Sequence, residues 1–283
     1  MPRFTDLIDV DELVPLLDDP NCRVVDCRFE LMDPDKGYEL YRQAHISGAV
    51  FTDLDKDLAA PVTAESGRHP LPDVETFSRM LRDHGISGGS QVVAYDHGNG
   101  ATAGRLWWML RWLGHERVAV LNGGFAAWRA AGGSVDAEIP AYPRGDFTAR
   151  PDAAMVATTE EILAAIESGE GLILVDARDE RRFRGEAEPI DTVAGRIPGS
   201  VNMPFQLNLD DSGLWRSTEE IAALWESVER AGSNERPVAM CGSGVTACHL
   251  ILAAKRIGKP LPRLYVGSWS AWISDPARPI ETG

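Results

Sequence analysis

Short apolar runs alternate with stretches of helical periodicity along this chain. Apolar runs of about five residues, bounded by Gly, Pro, Asn or Asp, are typical of buried strands. Segments whose apolar residues recur every three or four positions predict helices. The elements predicted in the first half are strands over 24–28, 91–96 and 117–121, helices over 73–84 and 103–113, and a polar loop over 57–72. This alternation favours an α/β fold with a mostly parallel sheet flanked by helices.

The second half repeats these landmarks about 150 residues later. The strand that ends at Asp26 recurs at Asp176, and the strand that ends at Asp96 recurs as the one that ends at Cys241. Two similar blocks of this length indicate tandem duplicated domains rather than a solenoid. The predicted organisation is a first domain over 1–143, a linker over 144–157 and a second domain over 158–283.

Composition limits the partners and the compartment. The chain has 283 residues, 44% of them apolar, and a formal net charge of −15. This charge argues against nucleic acid and anionic membranes, and an anionic substrate needs local Arg or Lys residues. No apolar run reaches the roughly 18 residues typical of a membrane span, and the N-terminus lacks the apolar region of an export signal. The four cysteines do not form a disulfide framework, so we expect a cytoplasmic protein.

The strand before Cys241 leads into a loop of small residues and then a helix predicted over 249–255. This geometry aims backbone N–H groups and a helix dipole at one point, which favours a thiolate and hence a nucleophile. The alternative is a cysteine buried as a small core residue. Asp96 stands at the equivalent position of the first half. Because an unpaired aspartate is costly to bury, we expect an exposed loop in both halves, which favours the nucleophile.

These segments resemble the tandem-domain rhodanese-type sulfurtransferases over essentially the whole chain. The matching pieces are the duplicated strand with Asp-x-Arg, the His/Arg-Ile-x-Gly segments, the stretch from Leu121 to Trp128, and the loop Cys-Gly-Ser-Gly-Val-Thr over 241–246. The loop resembles the 3-mercaptopyruvate branch, whereas the thiosulfate branch has two basic residues where Gly242 and Ser243 stand. The resemblance implies two tandem rhodanese-like domains, the first of them non-catalytic.

The resemblance implies a ping-pong cycle in which Cys241 takes a sulfane sulfur as a persulfide and passes it on. The donor is a small anion, and the acceptor is a thiol, cyanide or a thioredoxin-like protein. Backbone N–H groups of the loop stabilise the thiolate and the persulfide, and the loop residues concerned are Gly242, Gly244, Val245 and Thr246. Thr246 either caps the following helix or donates to the sulfur. We expect no cofactor and no metal, and a monomer, since the duplication supplies the partner domain.

Further site residues follow from the same resemblance. Arg182 matches the arginine that binds the anionic group of the donor, and a guanidinium can hold a carboxylate in two places; otherwise it is a solvated arginine. A Ser–His–Asp relay is implied at Ser243, His69 and Asp55, with Asp53 as the rival acid. Such a relay could protonate the enolate that leaves when sulfur is transferred.

One position departs from the pattern, because Ile190 stands where many mercaptopyruvate enzymes have a second arginine. Either Arg184 or Arg196 supplies the second contact, or Arg182 holds the carboxylate alone. The departure keeps thiosulfate sulfurtransferase as the alternative activity. A cysteine-type phosphatase would need an arginine where Ala247 stands, and a non-catalytic sulfur carrier would not need the polar set. The remaining cysteines, Cys22, Cys27 and Cys248, are expected to be structural.

Overall fold

The computed structural model describes residues 4–169, 172–230 and 236–283. The chain divides into two compact units. The first comprises the chain up to Ala60, Leu71–Asp152 and Asp211–Trp215, and the second comprises Pro61–Pro70, Ala153–Asp210 and Arg216–Gly283. The main division therefore falls within the predicted linker, and two short segments, 61–70 and 211–215, belong to the unit of the opposite half. The boundaries at 143 and 158 stay a prediction.

The first unit is built around a parallel sheet. Its strands are β1 (Leu7–Ile8), β2 (Cys22–Asp26), β3 (His45–Ile46), β4 (Val50–Phe51), β5 (Gln91–Tyr95), β6 (Val118–Leu121) and β7 (Val135–Asp136). Its helices are α1 (Val10–Leu13), α2 (Lys36–Gln43), α3 (Val74–Asp83), α4 (Ala101–Trp112) and α5 (Gly124–Ala130). Five strands pair in parallel in the order β1-β6-β5-β2-β4, while β3 and β7 form a small antiparallel pair.

The second unit repeats this plan. Its strands are β8 (Val156–Ala157), β9 (Leu174–Asp176), β10 (Val201–Asn202), β11 (Val238–Met240) and β12 (Arg263–Tyr265). Its helices are α6 (Thr159–Ser168), α7 (Glu180–Phe183), α8 (Thr218–Arg230), α9 (Thr246–Arg256) and α10 (Ser268–Trp272). The strands pair in parallel in the order β8-β12-β11-β9-β10, which matches the first sheet strand for strand. The prediction of two α/β domains with mostly parallel sheets is confirmed.

The sequence pattern explains these elements. Every residue of β5 is buried, as expected for a central strand of a parallel sheet that is covered on both faces. Helix α3 begins after Asp73, whose side chain accepts the Thr76 N–H, and buries one stripe. Helix α4 is buried around nearly its whole circumference, including Trp107 and Trp108. No helix among the described residues is both long and apolar enough to cross a membrane.

The duplicated Asp-x-Arg segment forms the same buried ion pair in each unit. Arg28 donates through Nε and Nη2 to Asp26, and Arg178 does the same to Asp176, with Nη2–Oδ2 distances of 2.7 and 2.6 Å. Both arginines also donate to a backbone carbonyl of a loop. Breaking such a buried pair would cost about 3–5 kcal/mol. This motif therefore holds the strand ends in place and is structural.

Candidate active site

Cys241 lies directly after β11, at the carboxyl edge of the second sheet. The loop that follows turns back over the sulfur, and the Gly244 N–H donates to Cys241 Sγ at 3.1 Å. Gly244 has a φ of 78°, and a Cβ there would lie 2.5 Å from the Val266 carbonyl oxygen, so only glycine fits. Because α9 begins at Thr246, its positive end also faces this loop. The arrangement stabilises negative charge on the sulfur.

The start of α10 anchors the nucleophile loop from the other side. Ser268 Oγ accepts the Cys241 N–H at 3.1 Å and donates to the Tyr265 carbonyl at 2.8 Å. The Trp269 N–H donates to the Cys241 carbonyl at 3.0 Å, and the Ser270 N–H to the Gly242 carbonyl at 2.9 Å. Residue-type patterns did not single out Ser268. The repeat could have identified it, because the equivalent position in the first unit is a glycine, the residue type that most readily adopts a positive φ.

The expectation that Asp96 and Cys241 are exposed is wrong, since each is only 2% exposed. The Asp96 carboxylate accepts four backbone N–H groups of its own loop, at 2.9 to 3.3 Å, from Gly98, Gly100, Thr102 and Ala103. An aspartate can be buried here because the loop satisfies it. The first unit thus shows the equivalent loop occupied by an anion, and in the second unit that position holds the Cys241 sulfur.

The structure brings together two members of the predicted relay. His69 Nδ1 lies 2.7 Å from Ser243 Oγ, and both side chains are buried. His69 reaches this place on the 61–70 segment, which belongs to the second unit. Asp55 is an exposed residue of the first unit, and its part in the relay stays a prediction. The rival, Asp53, accepts the Asp55 N–H at 2.9 Å and pairs with Lys56 at 3.1 Å.

Arg182 lies at the site, but protein carboxylates already engage it. Its Nε lies 3.0 and 3.1 Å from the two Glu188 oxygens, and its Nη2 lies 3.0 Å from Asp191 Oδ2. Both acids are buried, with side chains 4% and 5% exposed. Asp191 also pairs with Nη1 of Arg68. Glu188 also lies 3.6 Å from Nη1 of Arg178, whose main partner is Asp176. Each guanidinium group in this cluster is therefore matched by a protein carboxylate.

This cluster lies over the residue after the nucleophile. A Cβ on Gly242 would be 2.8 Å from Arg68 Nη2 and 3.6 Å from Arg182 Nη1. Burial lowers the pKa of Arg68, and the neighbouring Cys241 opposes that shift. Sequence reasoning missed Arg68 because it lies in a loop without periodicity. Its one signal was its place next to His69.

The two arginines expected to replace the residue missing at Ile190 are occupied elsewhere. Arg184 is exposed and pairs with Glu180. Arg196 donates to the Gly283 carbonyl at 2.7 Å and lies over the ring of Phe183. Arg68 is the second guanidinium that the structure places beside Arg182.

Thr246 does not cap α9. It is the first residue of the helix, the N-cap is Val245, and that cap has no side-chain hydrogen bond. A threonine at this position has already turned into helical geometry, so its hydroxyl is displaced from the capping position. Donation from Thr246 to the sulfur stays a prediction, as do the binding roles of Val245 and Gly242.

The other three cysteines are buried and have structural roles. Burial raises the pKa of Cys22 to about 12, and it also raises the pKa of Cys27. Cys248 is fully buried in α9, and its thiol lies 3.3 Å from the Gly244 carbonyl. Among the described residues, no group of three or more His, Cys, Asp or Glu side chains is arranged to hold a metal. Cys241 is therefore the thiol that faces the polar site residues.

Comparison with known proteins finds relatives along nearly the whole chain. Residues 9–131 and 158–275 match the rhodanese-like domain family. A probable 3-mercaptopyruvate sulfurtransferase of Pseudomonas aeruginosa is 46% identical, with 98% of each chain covered. A putative thiosulfate sulfurtransferase of Mycobacterium tuberculosis is 38% identical, over 92% of this chain and 90% of that protein.

Solved structures show the same similarity. The crystal structure of SseA from Escherichia coli, a 3-mercaptopyruvate sulfotransferase with the rhodanese fold, superimposes with a TM-score of 0.82 at 31% identity. The alignment covers 94% of this chain and 99% of that one. Two of these relatives are therefore named for 3-mercaptopyruvate as the sulfur donor, and one is named for thiosulfate.

Proposed function

We propose that this chain, which belongs to the rhodanese-like domain family, transfers a sulfane sulfur from 3-mercaptopyruvate to a thiol through a persulfide on Cys241. One observation supports the proposal above others. The Cys241 sulfur receives the Gly244 N–H in a loop whose neighbour, Ser243, is hydrogen-bonded to His69. A nucleophile, an anion-stabilising loop and a proton source thus share one site.

In the first half-reaction, the Cys241 thiolate attacks the sulfur of the donor. An S–S bond forms, the carbon–sulfur bond of the donor breaks, and its electron pair passes to the enolate of pyruvate. Ser243 protonates the enolate carbon, and His69 returns a proton to Ser243. In the second half-reaction, an acceptor thiolate attacks the outer sulfur and releases the Cys241 thiolate. No external oxidant or reductant is needed, because the electron pair of the carbon–sulfur bond stays with the donor carbon, which is reduced as its sulfur is oxidised to the sulfane level.

The charge around the site favours 3-mercaptopyruvate over thiosulfate. Thiosulfate is a dianion, and a site that prefers it should carry excess positive charge beside the thiol. Here the two guanidinium groups of Arg68 and Arg182 are balanced by Glu188 and Asp191, which are both buried. A monoanionic carboxylate needs less compensation than a dianion.

Thiosulfate sulfurtransferase is the second candidate. It is supported by the presence of two guanidinium groups over Gly242 rather than one. A small rearrangement that releases one carboxylate would leave a net positive charge for a dianion. The donors therefore have to be compared directly.

The acceptor and the setting belong to the same proposal. We take the acceptor to be a thiol, either small or on a thioredoxin-like protein, with cyanide as a convenient assay substitute. The four cysteines are all free, which suits a reducing cytoplasm. The protein acts as a monomer, since one chain carries both domains.

The test is to incubate the protein with each donor and measure the mass of the peptide that contains Cys241. We expect 3-mercaptopyruvate to add one sulfur atom to this peptide and to give a higher kcat/KM than thiosulfate. In Cys241→Ser we expect no added sulfur and no turnover. A higher kcat/KM for thiosulfate would assign the second candidate. Turnover that survives in Cys241→Ser would rule out the persulfide mechanism.

A further inference from the structure

The 61–70 segment brings His69 to the site, and a serine of α10 holds its backbone there. The segment is described throughout and contains no helix or strand, so its position depends on contacts made by individual residues. The Arg68 N–H, one residue before His69, donates to Ser270 Oγ at 3.1 Å. Gly67 packs against the same hydroxyl, since a Cβ there would lie 2.8 Å from Ser270 Oγ. The hydroxyl therefore fixes the backbone next to the histidine.

Ser270 also holds the nucleophile loop, through its own backbone. Its N–H donates to the Gly242 carbonyl at 2.9 Å. Gly242 lies between Cys241 and Ser243, so this bond holds the loop at its reactive part. The Ser270 hydroxyl donates its proton to the Gly267 carbonyl at 3.2 Å, which leaves its oxygen to accept from the 61–70 segment. One residue thus joins the nucleophile loop to the segment that carries the histidine.

The first unit separates the role of the Ser270 backbone from that of its hydroxyl. Ala126 is the equivalent of Ser270, because each stands two residues before the tryptophan of the duplicated motif. The Ala126 N–H donates to the His97 carbonyl at 3.1 Å, as the Ser270 N–H donates to Gly242. The backbone bond is therefore common to both units, whereas the hydroxyl belongs to the unit that contains the nucleophile. Support of the loop needs the backbone, and the hydroxyl serves the 61–70 segment.

We infer that Ser270 is a positioning residue for sulfur transfer, whose hydroxyl keeps His69 within hydrogen-bonding distance of Ser243. The inference rests on the proposed function, because it concerns the proton supply of the first half-reaction. His69 Nδ1 and Ser243 Oγ lie 2.7 Å apart, and a displacement of about 1 Å would lengthen this contact beyond hydrogen-bonding range. Without the Ser270 hydroxyl, the Arg68 N–H loses its acceptor and the 61–70 segment is released from α10.

The experiment compares the two half-reactions in Ser270→Ala and in the control Ser274→Ala. Ser270→Ala places the residue type of the first unit here and keeps the backbone bond to Gly242. Ser274 is a matched control, because its hydroxyl also donates to the carbonyl three residues before it, at 2.8 Å.

Single-turnover rates separate positioning of the histidine from general damage to the site. In Ser270→Ala, pyruvate formation from 3-mercaptopyruvate should be about 10-fold slower than in the wild type. Transfer of the outer sulfur from the Cys241 persulfide to cyanide, measured as thiocyanate, should stay within about twofold of the wild type. The reason is that this second step uses no proton from Ser243. Ser274→Ala should match the wild type in both half-reactions.

A double-mutant cycle tests whether Ser270 acts through His69. In a His69→Gln background, Ser270→Ala should slow pyruvate formation less than about twofold further, because the proton supply is already lost. A further loss as large as in the wild-type background, or equal slowing of both half-reactions, would overturn the inference. So would a wild-type rate of pyruvate formation in Ser270→Ala. If the wild type forms no persulfide from 3-mercaptopyruvate, the proposed function fails instead, so the two failures are distinguishable.

Discussion

Ser268 combines a strained backbone with two hydrogen bonds at the nucleophile, and replacing it tests both. Its φ is 51°, and it is the one non-glycine residue with a positive φ in the described part of the chain. Its Oγ accepts the Cys241 N–H and donates to the Tyr265 carbonyl. The equivalent residue of the first unit, Gly124, has a φ of 52°. Glycine adopts this conformation without a steric penalty.

The two simplest substitutions separate strain from hydrogen bonding. Ser268→Ala keeps the left-handed backbone and leaves the buried Cys241 N–H without its partner, which should lower the free energy of unfolding by about 1–3 kcal/mol. Ser268→Gly loses the same hydrogen bonds but releases about 1–2 kcal/mol of left-handed strain. The greater backbone entropy of glycine in the unfolded chain lowers the free energy of unfolding of this variant by about 0.5–1 kcal/mol. The glycine variant should therefore be more stable than the alanine variant by about 1 kcal/mol.

The assay is urea unfolding of the wild type and both variants, with kcat/KM measured on the same preparations. We expect kcat/KM to fall in both variants, because the Cys241 amide is no longer held. An alanine variant as stable as the glycine variant would refute the argument from strain. Wild-type kcat/KM in both would refute the positioning role of Ser268.

Three further outcomes are expected. His69→Gln should lower kcat for 3-mercaptopyruvate about 100-fold in steady-state assays by removing the proton supply to Ser243, and unchanged kcat would contradict this role. Asp96→Ala leaves four loop N–H groups without their carboxylate, and should lower the free energy of unfolding in urea by about 3 kcal/mol or more while Cys241 still accepts sulfur; an unchanged midpoint would contradict this. In the folded state, burial raises the pKa of the Cys22 thiol to about 12. Its contribution to stability is therefore complete below the unfolded pKa near 9 and is lost as pH rises towards 12. Between pH 8 and pH 10 the loss should be about 1.4 kcal/mol, and Cys22→Ala should reduce that slope in urea titrations.

The Asp96 result shows how a correct premise led to a wrong expectation. An unpaired aspartate is costly to bury, and from this we expected an exposed loop. The loop instead supplies the hydrogen bonds itself, so the carboxylate is buried and satisfied. Residue types along the chain do not report the direction of backbone N–H groups. The N–H groups of this loop converge on a carboxylate, as the loop after Cys241 was expected to converge on a thiolate.

The sequence by itself determined the duplicated α/β plan and the place of the nucleophile. Strands such as β5 and helices such as α3 depend on local periodicity, and the repeat aligned Cys241 with a loop position at a strand end. Local patterns of this kind survive in the sequence because neighbouring residues share one element. They were sufficient to identify the family by its loop.

Only the tertiary structure decided which charges surround the nucleophile. Arg68 and His69 lie in a loop without periodicity, and they reach Gly242 and Ser243 because the 61–70 segment packs into the second unit. Arg182 lies where the resemblance implied, yet its side-on edge is bound to Glu188. Ion pairs between residues distant in sequence depend on packing and on the direction of each side chain. Neither of these is encoded in the spacing of residues along the chain.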